Sequence, residues 1–344
     1  MRALVATGPT EFSFTSSYPT PQVPSGWVLL EPLYVGLCGS DLVRFAGQGS
    51  YYHWPAIYGH EFSARIKQLP SKSSLFEVGD IVAVLPVIPG KKFNPSCHSS
   101  YFASGDYDFI GSRRDGALSD LVAAPLSNLI RLQPGVDPQV AALFEPFAVA
   151  LRAIQKVSFA PDSSVVIFGA GVIGLSLALL LRYHFGLNQI TLVTKEDSPS
   201  INLVNQLGFS RLGFSQIQSQ LQMGQHFDFQ LAFQACGSAT ALPVALTTLC
   251  PAGTLVNLGT YTSDIVIPSS LFNQALKSEK VIITSQGFHL TLADTQLLAD
   301  FLDQQTTIIR QMIYRVVPLS QAETHIRRLL AHQDTTIKTL VQVH

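Results

Sequence analysis

The chain has 344 residues, 47% of them hydrophobic and 13% charged, with a formal net charge of −1. That length exceeds one simple core and points to about two domains. The composition excludes a disordered chain, and the near-neutral charge excludes a nucleic-acid binder held by a general basic field.

In chain order, the apolar start Met1-Arg2-Ala3-Leu4-Val5-Ala6 turns polar at Thr7-Gly8-Pro9, too short a run for a secretory signal, so the expected location is the cytoplasm. Short β-like runs at 27–30, 81–85 and 121–124, punctuated by Gly and Pro, predict an irregular, mainly antiparallel domain. From residue 163 the texture changes. A β-branched and aromatic strand at 165–168 precedes glycines and an apolar helix to about 185. Strands at 189–194, 227–233 and 254–258 then alternate with helices at 199–207 and 240–249. Such alternation indicates a parallel, doubly wound α/β sheet. Helices at 292–302 and 321–330, with an extended segment at 316–318 between them, close the chain. The longest apolar run, 165–181, is divided by Gly169, Gly171 and Gly174. It is read as strand, turn and buried helix, since a spanning helix needs roughly 20 unbroken apolar residues. No membrane contact is expected. Gln216, Gln218, Gln220, Gln222 and Gln225 read as a solvated helix face.

The cysteines are Cys38, Cys97, Cys236 and Cys250, with no C-x-x-C pair and no sign of a disulfide framework. Cys236 and Cys250 read as small buried hydrophobes.

Gly169-Ala170-Gly171-Val172-Ile173-Gly174 fits G-x-G-x-x-G, directly after a strand and at the opening of a helix. The mechanism of dinucleotide binding requires that context. Gly169 permits the tight turn, Gly171 lets the backbone approach the pyrophosphate, and Gly174 allows close helix–strand packing, with Ile173 inside the same turn. The helix N-terminus offers unpaired N–H groups to the phosphates. About 20 residues further on, an NAD site presents Asp or Glu to the ribose 2′-hydroxyl. Here the strand ends in Thr194-Lys195, which suits a 2′-phosphate, although Glu196 and Asp197 follow at once. NADP(H) is expected over NAD(H).

Two further segments carry chemistry: Gly36-Leu37-Cys38-Gly39-Ser40-Asp41 and Gly59-His60-Glu61-Phe62. A thiolate and an imidazole suit zinc, and a catalytic zinc keeps an open position beside about three protein ligands. Taken singly, His60 also reads as a core histidine and Cys38 as a buried thiol. With the nucleotide motif, Val78-Gly79-Asp80-Ile81-Val82 and Leu143-Phe144-Glu145-Pro146, these segments resemble the zinc-dependent medium-chain dehydrogenase/reductase superfamily. The stretch Tyr107-Asp108-Phe109-Ile110-Gly111-Ser112-Arg113-Arg114-Asp115-Gly116 looks like the corresponding one of galactitol-1-phosphate 5-dehydrogenases and related polyol dehydrogenases.

The resemblance implies Cys38, His60 and Glu145 as zinc ligands. Glu61 becomes a neighbouring carboxylate, either an alternate ligand or a supporting group. Ser40 matches the hydroxyl that relays the substrate proton; its other reading is a turn hydroxyl bonding its own backbone. Zinc members also carry a structural site of cysteines ahead of the Tyr107–Ser112 stretch. Here the matching positions are Gly90, Phe93, Ser96 and Ser104, and Cys97 alone cannot replace them. One catalytic zinc per chain, no structural zinc, and a lobe held by packing are therefore expected. Val43 stands where many relatives put a relay histidine.

The chemistry implied is metal-assisted hydride transfer between NAD(P) and a secondary alcohol or ketone, a polyol or a sugar phosphate resembling galactitol 1-phosphate. Arg113 and Arg114 are candidates for a phosphate or a polyol hydroxyl array; the alternative is local pairing with Asp106, Asp115 or Asp120. Rival readings are a zinc-free quinone or enoyl reductase of the same superfamily and a non-catalytic NADPH-binding relative. The retained Cys38, His60, Glu145 and Ser40 set argues against both. The expected architecture is a GroES-like, mainly β catalytic domain at 1–153, completed by 291–344, with a Rossmann domain at 154–290 inserted between them. A homodimer or homotetramer is implied by the resemblance.

Overall fold

A computed structural model describes residues 1–48, 53–70, 75–94, 96 and 101–344. They form two compact units: Met1–Ala148 with Phe288–His344, and Val149–Gly287. Cys97 lies outside the described residues.

The first unit is built on the strand Trp27–Gly36, whose Val28, Leu30 and Val35 are fully buried. It pairs antiparallel with Glu61–Gln68 on one side. On the other side, its first half pairs with Val122–Pro125 and its last residues with Lys338–Gln342. Ile81–Val84 and Leu129–Arg131 extend the sheet beyond Glu61–Gln68, and Ile313–Pro318 joins Lys338–Gln342 in parallel, giving seven strands. Residues distant in sequence thus meet within one sheet. The apolar faces of these strands, with Phe45, Ile57, Tyr58, Phe62, Ile110 and Ile326, make one continuous core. Burying side chains of this size contributes about 1.5–3 kcal/mol each.

Register places the chemistry. Gly36 faces Glu61 across one pairing and Leu340 across the other. Cys38 therefore follows the end of one strand while His60 precedes the start of its neighbour. The Leu37 N–H bonds the Thr339 carbonyl at 3.0 Å, which brings Lys338 alongside both. Gly36 admits no side chain, because a Cβ there would lie 2.5 Å from Glu61 Oε2.

The second unit is an all-parallel sheet of six strands in the order Ser210–Gly213, Ile190–Thr194, Val165–Phe168, Phe229–Gln234, Leu249–Asn257 and Val281–Thr284. This is the doubly wound order, with its switch point between Val165–Phe168 and Phe229–Gln234. Every residue of Val165–Phe168 is buried, as expected of a central strand covered on both faces. The helix Val172–Tyr183 follows, buried from Gly174 to Leu181. Among the described residues no helix is long and apolar enough to cross a membrane.

The expected α/β class is observed, with differences in detail. Ser210–Gly213 and Val281–Thr284 are strands that the hydrophobic pattern does not announce, since both are short sheet edges. The helix expected at 240–249 ends at Thr247, and the next strand already begins at Leu249, accommodating a left-handed Ala252 at φ 59°. The glutamines fall on the helix Phe214–Gln222 and just beyond it, with Gln216, Gln222 and Gln225 exposed and the rest half-buried. Cys236 and Cys250 are half-buried rather than enclosed.

Candidate active site

The helix Gly39–Phe45 carries Ser40, Asp41 and Arg44, and begins directly after Cys38. The Cys38 N–H bonds Asp41 Oδ2 at 3.2 Å, which ties the thiol-bearing residue to the first helical turn. Ligand atoms of Cys38, His60 and Glu61 all lie within 4.8 Å of one another, and His60 and Glu61 are buried. A sulfur, an imidazole nitrogen and a carboxylate oxygen at this separation form a donor set suited to zinc.

Two residues to which sequence reasoning assigned no role hold this set in place. Asp41, fully buried, accepts from His60 Nδ1 at 3.0 Å, which leaves Nε2 on the Cys38 side of the ring. A carboxylate behind a ligating histidine fixes its tautomer and orientation. Lys338, 1% exposed, donates from Nζ to Glu61 Oε2 at 2.5 Å and to the Leu37 carbonyl at 3.0 Å. Asp41 lies within the Gly36–Asp41 segment, whereas Lys338, 277 positions from Glu61, carries no local signal at all.

Opposing charges set the protonation of the cluster. Burial pulls the His60 imidazole down, but Asp41 and Cys38 outweigh it and hold its pKa well above the usual value. Burial pushes Asp41 up, yet the charge and hydrogen bond of His60, with Arg44, keep it below the ordinary carboxylate range. Lys338 is likewise lowered by burial and raised further by Glu61 and Cys38, so it stays charged.

Glu145 lies at the start of the helix Phe144–Ile154, outside the tight three-residue group. Burial pushes its carboxyl up to about 7, with Glu61 and Asp41 adding to the rise and His60 and Lys338 opposing it. It is electrostatically part of the same site. Ser40 Oγ accepts from Arg44 Nη1 at 3.2 Å, so the hydroxyl bonds a side chain rather than its own backbone.

The arginines of the 107–116 stretch are engaged locally. Arg113 Nη1 donates to the Tyr107 carbonyl at 2.5 Å, and its guanidinium sits 4.0 Å from the centre of the Tyr107 ring. Arg114 pairs with Asp108, not with the three acids expected, and lies over Trp27. Those acids have other duties. Asp106 accepts from the Lys92 N–H, Asp115 from the Ile57 N–H, and Asp120 pairs with Arg2. Phe102 links Tyr107 to Phe109, and Phe109 meets the His60 ring edge-on with centres 5.3 Å apart. At the positions of the missing cysteines, Phe93 packs against Tyr101 and His289 at 4.6 and 5.0 Å.

In the second unit, Gly169 takes φ 102°, and a Cβ at Gly174 would fall 1.8 Å from the Gly169 carbonyl oxygen. Glycine is the residue that fits both demands. A Cβ at Gly171 would meet no protein atom within 4 Å, so that backbone is open to approach. Ile173 is half-buried in the first helical turn. Thr194 ends its strand buried and accepts from Arg211 Nη1 at 3.1 Å; Lys195 is exposed. Glu196 turns to the helix Phe214–Gln222, where Oε1 accepts from the Ser215 N–H at 2.8 Å.

Comparison with known proteins agrees with this picture. Residues 24–134 match the alcohol dehydrogenase GroES-like domain, and residues 138–343 match the glucose dehydrogenase C-terminus. The chain is 30% identical over 256 residues to galactitol 1-phosphate 5-dehydrogenase of Escherichia coli strain K12, covering 73% of this chain and 72% of that one. The crystal structure of galactitol-1-phosphate dehydrogenase from Escherichia coli superposes with a TM-score of 0.88 at 25% identity, covering 100% of both chains. The Haloferax mediterranei glucose dehydrogenase in complex with NADP, Zn and gluconolactone gives 0.82 at 20% identity, covering 100% of this chain and 99% of that one, a likeness of fold. The chain belongs to the zinc-type medium-chain dehydrogenase/reductase family of NAD(P)-dependent oxidoreductases.

Proposed function

We propose that this protein transfers a hydride between NADP(H) and a secondary hydroxyl or carbonyl of a polyol or sugar phosphate, using one zinc ion per chain. The observation that carries this reading is the close donor group of half-buried Cys38 with buried His60 and Glu61, braced by Asp41 and Lys338. When bound there, zinc supplies Lewis-acid polarisation of the substrate oxygen.

Cys38 and His60 are the fixed ligands. Glu145 supplies the third, because the Glu61 carboxylate is already neutralised by Lys338 and serves as the alternate. Bound NADP(H) would supply the hydride acceptor or donor, and in the oxidative direction Ser40 Oγ would take the hydroxyl proton while its own proton passes on to solvent. Support for Ser40 comes from Arg44, which donates to its oxygen and leaves the Ser40 O–H free to exchange a proton. Gly169, Gly171, Ile173 and Gly174 hold the pyrophosphate, and Thr194 with Lys195 the adenosine end.

The polyol-phosphate class is supported by the relatives whose names carry it. Arg113 and Arg114 are the candidate phosphate contacts, since a guanidinium fork binds phosphate bidentately. A lobe held without structural zinc is supported by the aromatic contacts of Phe93. Self-association as a homodimer or homotetramer is supported by the edge strand Val281–Thr284, where Val281 and Ile282 are exposed together with Phe272 and Leu276 on the preceding helix.

The test is elemental analysis of purified protein followed by an activity screen. About one zinc per chain, and oxidation of polyol phosphates with NADP, support the reading. A metal-free protein that reduces quinones or enoyl substrates overturns it. Equal oxidation of free polyols and their phosphate esters removes the phosphate-binding role of the arginines.

A further inference from the structure

We infer that Arg211 receives the 2′-phosphate of NADP(H), an inference that rests on the NADP preference proposed above. Arg211 lies on the edge strand Ser210–Gly213, beside the strand that ends in Thr194. Its Nη1 donates to Thr194 Oγ1 at 3.1 Å, and Thr194 is 3% exposed, so the guanidinium is anchored at one corner to a rigid strand end. A guanidinium has five N–H donors in a planar fork, and this contact uses one of them. Among the described residues Arg211 makes no ion pair. Its charge also acts on Glu196, and most of its donors remain for a ligand at the tip of the Ile190–Thr194 strand, where the doubly wound fold places the adenosine ribose.

The carboxylate that follows in sequence is anchored away from the strand tip by one oxygen. Glu196 spends Oε1 on the Ser215 N–H at the start of the helix Phe214–Gln222. A 2′-phosphate here meets a preset guanidinium and the exposed ammonium of Lys195, beside a Glu196 carboxylate held by one oxygen at the helix start. Arg211 escapes a reading of the second strand alone, because it belongs to the third.

The experiment measures binding, without substrate, of NADPH, NADH, adenosine 2′,5′-bisphosphate and 5′-AMP to the purified protein by fluorescence and calorimetric titration. The wild type is expected to favour NADPH over NADH and the bisphosphate over 5′-AMP. In Arg211→Ala that preference should collapse, with the Kd for NADPH rising about 10- to 100-fold. Arg211→Gln keeps a donor for Thr194 and removes the charge, so it should behave likewise even if the alanine variant folds poorly. Arg211→Lys should keep part of the preference as a point charge. A wild type that prefers NADPH while Arg211→Gln retains the full NADPH-to-NADH ratio overturns the assignment of Arg211 and leaves the NADP reading standing. A wild type that binds NADH as tightly as NADPH overturns the NADP reading, and the inference with it.

Discussion

Lys338 Nζ and Glu61 Oε2 form a hydrogen-bonded ion pair in which both side chains are 1% exposed. The pair joins the last strand of the chain to the strand that begins beside His60, and so ties the C-terminal segment to the metal-binding donors. Removing one partner of a buried pair strands the other charge, at a cost of about 3–5 kcal/mol. Lys338→Met should lower unfolding stability by roughly that amount in denaturant titrations. Adding Glu61→Gln should restore part of the loss, because no carboxylate is then left unpaired. Simple additivity of the two losses would show that the pair is not coupled.

Asp41 acts through His60. Asp41→Asn keeps the size of the side chain but removes the charge that orients the imidazole. Zinc affinity should fall about 10- to 100-fold in chelator competition, with far-ultraviolet circular dichroism unchanged. Unchanged affinity would deny Asp41 its positioning role.

The two glutamates should separate in metal retention. Glu145→Gln is expected to lose more zinc than Glu61→Gln under the same chelator, since Glu61 is already neutralised by Lys338. The reverse order would make Glu61 the resting ligand. Cys38→Ser should lose metal and activity together.

His325 gives a pH signature away from the metal site. It is 5% exposed, bonds Thr339 Oγ1 through Nε2 at 3.0 Å, and lies near Arg315, Arg328 and Asp334. Burial and then Arg315 lower its pKa, against the pull of Asp334. The folded state therefore binds fewer protons here than the unfolded chain. Stability from this group is present above the unfolded value, about 6.5, and is lost as pH falls through it toward the folded pKa. Melting temperatures between about pH 8 and pH 5 should show this loss in the wild type, and His325→Asn should flatten that part of the curve.

Local chemistry made much of the protein legible before any fold was in view. Gly169, Gly171 and Gly174 are demanded by one turn, and Cys38 and His60 sit in short segments whose neighbours fix their backbone. The strand at 165–168 was readable because a central parallel strand is apolar throughout. Ser210–Gly213 was not readable, since an edge strand of four residues with an arginine in it carries no hydrophobic period. Tertiary structure alone decided the partners: Lys338 for Glu61, Arg211 for Thr194, Ser215 for Glu196 and Asp108 for Arg114. The sequence by itself determined the class of fold and the residue types of the site, because turns, caps and periodicity are short-range. Which charge neutralises which was decided by sheet register and burial, which bring together residues that no local pattern connects.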